Sequence, residues 1–131
     1  MSVSLDSNLL SGTPQETLAL FDTNHKLGFL NGQNMAATVD TVEGEITPGR
    51  RTKLRSIRPH VDGGTPSVAI GYRDRLNDAV TFGSAVAVNT SGRCPVRSQA
   101  RFQRARITMP AGDTWSNIQG IDVETDGGAA R

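Results

Sequence analysis

Lysine, histidine, cysteine and aromatic residues are all scarce in this 131-residue chain, and each scarcity narrows what it can be. One cysteine, Cys94, cannot form an internal disulfide, so a secreted disulfide scaffold is excluded. Two histidines, His25 and His60, are too few for a histidine-rich metal site. Four Phe, one Tyr and one Trp give little material for a single-strand nucleic-acid platform, which stacks bases on aromatic rings. No apolar run approaches the roughly 20 residues that span a bilayer as a helix. The N-terminus MSVSLDSNLLSG has neither a basic start nor an apolar run, so no signal peptide is expected, and the chain reads as soluble and assembled in a cytoplasm.

Excess charge is missing as well. The formal net charge is +1, which implies neither a specific nucleic-acid partner nor a membrane surface. The cations are nonetheless unusual: only Lys26 and Lys53 are lysines, and the other twelve are arginines. Arginine pairs carboxylates through a planar fork and is enriched at protein interfaces, where lysine is depleted. GC-rich codon usage would produce the same bias. The apolar fraction of 36% implies a modest core of Val, Ile, Leu and Ala.

What the chain does have is turns. Fourteen Gly and six Pro punctuate short alternating segments. Thr17 to Phe21 reads as a strand in preference to a capped helix from Pro14, and Asp22, Asn24 and Gly28 follow as turn signals. Asn31-Gly32 is the strongest hairpin signal and predicts that Met35 to Val39 returns along Lys26 to Leu30. Lys53 to Val61 divides into Arg55, Ile57, Pro59 and Val61 on one face and Leu54, Ser56, Arg58 and His60 on the other, with Pro59 marking an edge or strand end. Val68, Ile70 and Tyr72 alternate with Ala69, Gly71 and Arg73. Further short strands are expected at Ala79 to Phe82, Ala85 to Asn89 and Trp115 to Glu124, with a brief edge segment at Cys94 to Val96.

The stretch Arg101 to Glu124 is the most informative, a strand, a sharp turn and a second strand. In a regular strand Gln103, Ala105, Ile107 and Met109 share one face, and Phe102, Arg104, Arg106 and Thr108 the other. The first set buries no charge and is the better core. Phe102, Arg104 and Arg106 then stand outside, the composition of an interface hot spot. A bulge near Gln103 would instead turn Phe102 inward. Trp115 is either a lid on the core or a contact residue. These four are the candidate protein-interface residues.

Catalytic and metal signals are weak. Cys94 lies beside Arg93 and Arg97, but no nucleophile motif surrounds it, and a small apolar filler is the expected role. The carboxylates at Asp22-Thr23-Asn24 and at Asp74 to Asp78 read as turn chemistry rather than a calcium loop. Gly63-Gly64 is a turn and not a phosphate cradle. No cofactor, metal or small-molecule substrate is expected.

About eight short strands with closely spaced turns predict an all-β fold, a single-domain antiparallel β-sandwich or barrel-like domain with flexible termini. The expected division is an N-terminal arm over 1–16, a β-domain over 17–124 and a disordered tail over 125–131.

Several segments together resemble the C-terminal β-region of virion structural proteins of tailed bacteriophages. They are Val61-Asp62-Gly63-Gly64, Ile70-Gly71-Tyr72-Arg73-Asp74, Val80-Thr81-Phe82-Gly83, the run Asn89 to Arg97, Arg101 to Ile107, Pro110 to Trp115 and Gln119 to Val123. The resemblance spans Ser56 to Val123, and Leu18 to Thr41 is also similar. It implies a non-enzymatic virion component at the head–tail junction or tail, assembled in the host bacterial cytoplasm from multiple copies and contacting other virion proteins. A capsid decoration (cement) protein is the alternative it leaves room for. Apart from the resemblance, a carbohydrate-binding β-sandwich for host adsorption and a small hydrolase using Cys94 are the competing readings.

Overall fold

A computed structural model describes residues 18–29 and 32–126. Every regular element among them is a strand, every pairing is antiparallel, and none of the three sheets closes into a barrel, so the all-β, sandwich-like expectation is met. The strands are β1 (Ala19–Phe21), β2 (Leu27–Phe29), β3 (Ala37–Asp40), β4 (Thr52–Asp62), β5 (Ser67–Arg73), β6 (Thr81–Phe82), β7 (Val86–Ala87), β8 (Ser98–Ala100), β9 (Phe102–Met109) and β10 (Asn117–Thr125). The chain divides into two units, Met1–Gly32 and Gln33–Arg131. The expected arm over 1–16 and the tail from Gly127 onward lie outside the described residues. β10 itself runs to Thr125, and Asp126 is held by Lys53 and Arg55.

The second unit holds two sheets. One has the order β10-β4-β8, the other β3-β9-β5-β6, with β7 pairing the start of β5. Their facing sides meet in one core: Leu54 and Ile57 from β4, Val68 and Ile70 from β5, Ala105, Ile107 and Met109 from β9, with Cys94 and Val96. β9 alternates without interruption, Gln103, Ala105, Ile107 and Met109 buried and Phe102, Arg104, Arg106 and Thr108 half-buried. The bulge that would have turned Phe102 inward is absent.

The chain changes sheets at Arg101, a single bent residue between β8 and β9. Strands that switch sheets form the corners of such packings. Gln103 braces this corner from inside. Its amide Nε2 donates to the carbonyls of Thr52 (2.7 Å) and Ala100 (3.0 Å), joining the first turn of β9 to the starts of β4's pairing and the end of β8.

β4 departs from simple alternation. Leu54 and Ser56 are buried, then Ile57 and Pro59, so the inward phase changes between Ser56 and Ile57. The pairing with β10 carries the cause. Ser56 lies opposite Glu124 and Leu54 opposite Thr125, leaving Arg55 as an extra residue on β4. A bulge shifts every later side chain to the other face. The two-face reading of Lys53 to Val61 is corrected accordingly: Leu54 and Ile57 both face the core. Pro59 lies beyond the residues paired with β8. Ile57 exchanges both backbone hydrogen bonds with Cys94, so Pro59, two residues on, directs its missing donor to that same side, past the last partner there.

Met35 to Val39 does not serve as the return of an Asn31-Gly32 hairpin. β3 runs antiparallel to β9, with Val39 opposite Ile107 and Asp40 opposite Arg106. The hairpin forms one turn earlier, between β1 and β2. β8 was not anticipated, because three residues ending at a corner carry no period of their own.

Shortening a side chain at the centre of the core tests this packing. Ile107→Ala is expected to destabilise the second unit by about 2–5 kcal/mol, the range for removing buried aliphatic groups. Arg55→Ala, on the exposed bulge, is expected to cost far less. Chemical denaturation followed by Trp115 fluorescence measures both.

Candidate assembly surfaces

The outward side of the β3-β9-β5-β6 sheet carries the arginines that sequence pointed to. Gly71 on β5 lies opposite Arg104 on β9 and Phe82 on β6. With no side chain at Gly71, the Phe82 ring settles onto the sheet; a Cβ there would stand 2.8 Å from the ring. Arg104 and Arg106 then cover Phe82, their guanidinium carbons 4.9 and 4.0 Å from its centroid. Arg106 also forms a two-pronged pair with Asp40 directly across on β3, both contacts at 2.7 Å. Arg73 forks onto Glu43 and donates to the carbonyls of Leu76 and Asp78, and Arg101 pairs with Glu45 while lying 5.2 Å from the Phe102 ring.

The structure therefore brings Phe102, Arg104 and Arg106 to one face, half-buried and engaged within the chain. Arg104 alone keeps a buried Nε without a hydrogen-bond partner among the described residues. Trp115 sits apart from them, packed against the core as a lid. The Asn34 side chain holds its loop by donating to the carbonyls of Asp113 (2.9 Å) and Trp115 (2.6 Å). The loop also rests on the Gly63-Gly64 turn, where both glycines have positive φ and a Cβ at Gly64 would meet Asp113 at 2.7 Å.

Carboxylates on these surfaces are held ionised. Asp40 lies below the usual range because Arg106 donates to it. Glu45 does so through the Gly49 amide and then Arg101, Asp113 through the Thr65 amide, and Glu124 through the Ser56 hydroxyl and then Arg93. The Cys94 thiol moves the other way: burial pushes it up, and the side chain is fully enclosed in the core. A nucleophile needs a reachable thiolate, so this site fits the filler role. Asp22 and Asp78 accept backbone amides in their own turns, the local chemistry expected of them.

Two further surfaces were not singled out by sequence. The first is the β1–β2 hairpin. Asp22 accepts the amides of Asn24 and Lys26, and His25 takes a positive φ of 62°, which closes the turn. Ala19 pairs with Phe29 and Phe21 with Leu27, so these four side chains lie on one face. Phe21 is 72% exposed, Leu27 52% and Phe29 46%. Half of the chain's phenylalanines stand in water on this one small face.

The second is a cleft of about 360 Å³ in the second unit, between its two sheets. Leu54, Ile57, Ile70, Ala105, Ile121 and Val123 line it, and Val42 and Ile46 form its lip. Val42 is 93% exposed. Beside it β10 is the outer strand of its sheet, with its second edge unpaired among the described residues.

Neither a scan against protein-family models nor a search of curated proteins returns a match.

Lowered carboxylate values set the pH response. Protonation opposes the folded state, so this contribution is complete above the unfolded values near 4 and is lost as pH falls through the still lower folded values. Thermal melts should be flat from about pH 8 to 5 and fall steeply below about pH 4. Asp40→Asn should lower the melting temperature at neutral pH and make the acid slope shallower; an unchanged slope would remove the Asp40–Arg106 pair from the account.

Proposed function

We propose that this chain is a non-enzymatic structural protein that assembles in multiple copies, as a component of a tailed-bacteriophage virion at the head–tail junction or tail. The observation that carries the assembly part is the hairpin face of Ala19, Phe21, Leu27 and Phe29. A two-stranded hairpin is marginal in water without a third surface to cover it. Aromatic side chains on exposed faces are the anchors of protein interfaces. A chain that carries both such a face and an apolar cleft is suited to repeated contacts between copies, which close into rings or extend into lattices.

Other features support the same reading. Trp115, the one tryptophan on which a sugar ring would stack, packs against the core. Cys94, the one thiol a hydrolase would use, is enclosed. The virion assignment rests on the resemblance of Ser56 to Val123, whose turn segments form real turns: Gly63-Gly64 and Gly92 adopt positive φ, and Asn89 accepts the amides of Ser91 and Arg93.

Light scattering after size exclusion tests the proposal. The full chain is expected to run as an oligomer whose mass rises with concentration, and electron microscopy of the concentrated sample should show rings or tubes of regular symmetry. A monomer at every concentration up to millimolar would overturn it.

A further inference from the structure

Both apolar surfaces, unpartnered among the described residues, belong to the same chain, so every copy brings one of each. We infer that the hairpin of one copy docks in the cleft of a second copy, its Phe21–Leu27–Phe29 face against the walls from β4, β5, β9 and β10. The inference rests on the multi-copy reading above and names the contact that would produce it.

Size argues for this occupant. A cavity of about 150 Å³ holds one benzene ring. The cleft, at about 360 Å³, therefore has room for two, and the hairpin face presents two phenyl rings with a leucine beside them. Chemistry agrees, since the walls are mainly aliphatic and the inserted groups aromatic and aliphatic; the charged residues of the lining, Glu45 and Arg104, are already engaged, Glu45 by Arg101 and Arg104 by the Phe82 ring. Charged residues of the hairpin stay out of it: Lys26 lies in the turn next to Asp22, away from the face of Phe21 and Phe29.

Area sets the strength. Three large side chains, each about half exposed or more, offer on the order of 300 Å² of apolar surface. A stable pair buries roughly 800 Å² per partner. One docked hairpin falls short of that, but β10 offers more. Its outer edge lies beside Ile121 and Val123, and a hairpin strand laid along it continues the sheet by backbone hydrogen bonds. Each copy in a closed ring also gives one hairpin and receives one, which doubles the contact per chain. The contact is heterologous, so assembly depends on concentration and closes only when the ring is complete.

Cross-linking separates this contact from its alternatives. One chain carries Leu27→Cys in the hairpin, another carries Val42→Cys at the cleft lip, and the native Cys94 stays buried and out of the exchange. Mixing the two under oxidising conditions should give a disulfide-linked pair, and neither chain alone should. The double variant Phe21→Ser/Phe29→Ser, at exposed positions, should keep the native melting curve by Trp115 fluorescence and raise the concentration for half-assembly more than about tenfold. A disulfide formed only within a chain carrying both cysteines, and never between chains, would show the hairpin closing on its own domain and would overturn the inference. Native assembly that survives the double serine variant without any cross-link would overturn it too, while leaving the multi-copy reading intact. A chain that never assembles would remove both.

Discussion

The inward row of β9 is the constraint from which the rest of the second unit follows. Ile107 and Met109 fill the centre between the sheets, and Gln103 ties the strand to the corner where the chain changes sheets. Register then fixes the other face. With Ala105 inside, Arg104 and Arg106 must stand outside, opposite Gly71 and Ala69. A slip of one residue would bury two guanidiniums and expose three aliphatic side chains, so alternatives to this register are strongly disfavoured.

That outer face gives the arginine bias a use besides contact with partners. Arg106 with Asp40, Arg73 with Glu43 and Arg101 with Glu45 join β9, β5 and the bend before β9 to β3 and the loop that follows it. A lysine makes a single-point contact and could not span both oxygens of Asp40 as Arg106 does. The same guanidiniums lie over Phe82, which itself occupies the space that Gly71 leaves open. A compositional signal that matches interfaces is, on this sheet, a set of braces across strands and an aromatic cover over a glycine.

How much the sequence disclosed depended on whether a segment obeyed one rule or two. β9 was legible because its period of two runs unbroken from Phe102 to Met109. β5 was legible only in part: Val68 and Ile70 are buried as expected, but Tyr72, expected on their face, is exposed at the strand end, and Ala69 and Gly71 are buried as well, Gly71 beneath the Phe82 ring. β4 was misread, because Arg55 is an extra residue whose effect exists only in the pairing with β10. Asn31-Gly32 is a strong local signal, yet the turn that closes the hairpin is made by Asp22 and His25. The clue lay in Phe21 and in Leu27 with Phe29, apolar residues flanking a polar stretch and matched in spacing across it. The cleft had no sequence signal at all: its walls come from four strands and a loop that only the fold brings together.

The two units differ in what their described residues bury. The second unit owns a core that Leu54, Ile57, Val68, Ile107 and Met109 fill without help. The hairpin has none among the described residues; residues 18–29 are all exposed, and their order rests on a turn closed by one aspartate and six paired backbone positions. Changes on the hairpin face therefore act on whatever covers it, with little effect on whether the larger unit folds. Under the proposed assembly, its strength would be tuned through Phe21, Leu27 and Phe29 while the inward row of β9 stays fixed. A thin core is sufficient under the same proposal, because the apolar surface it lacks would be carried on a separate element and covered by contact between chains.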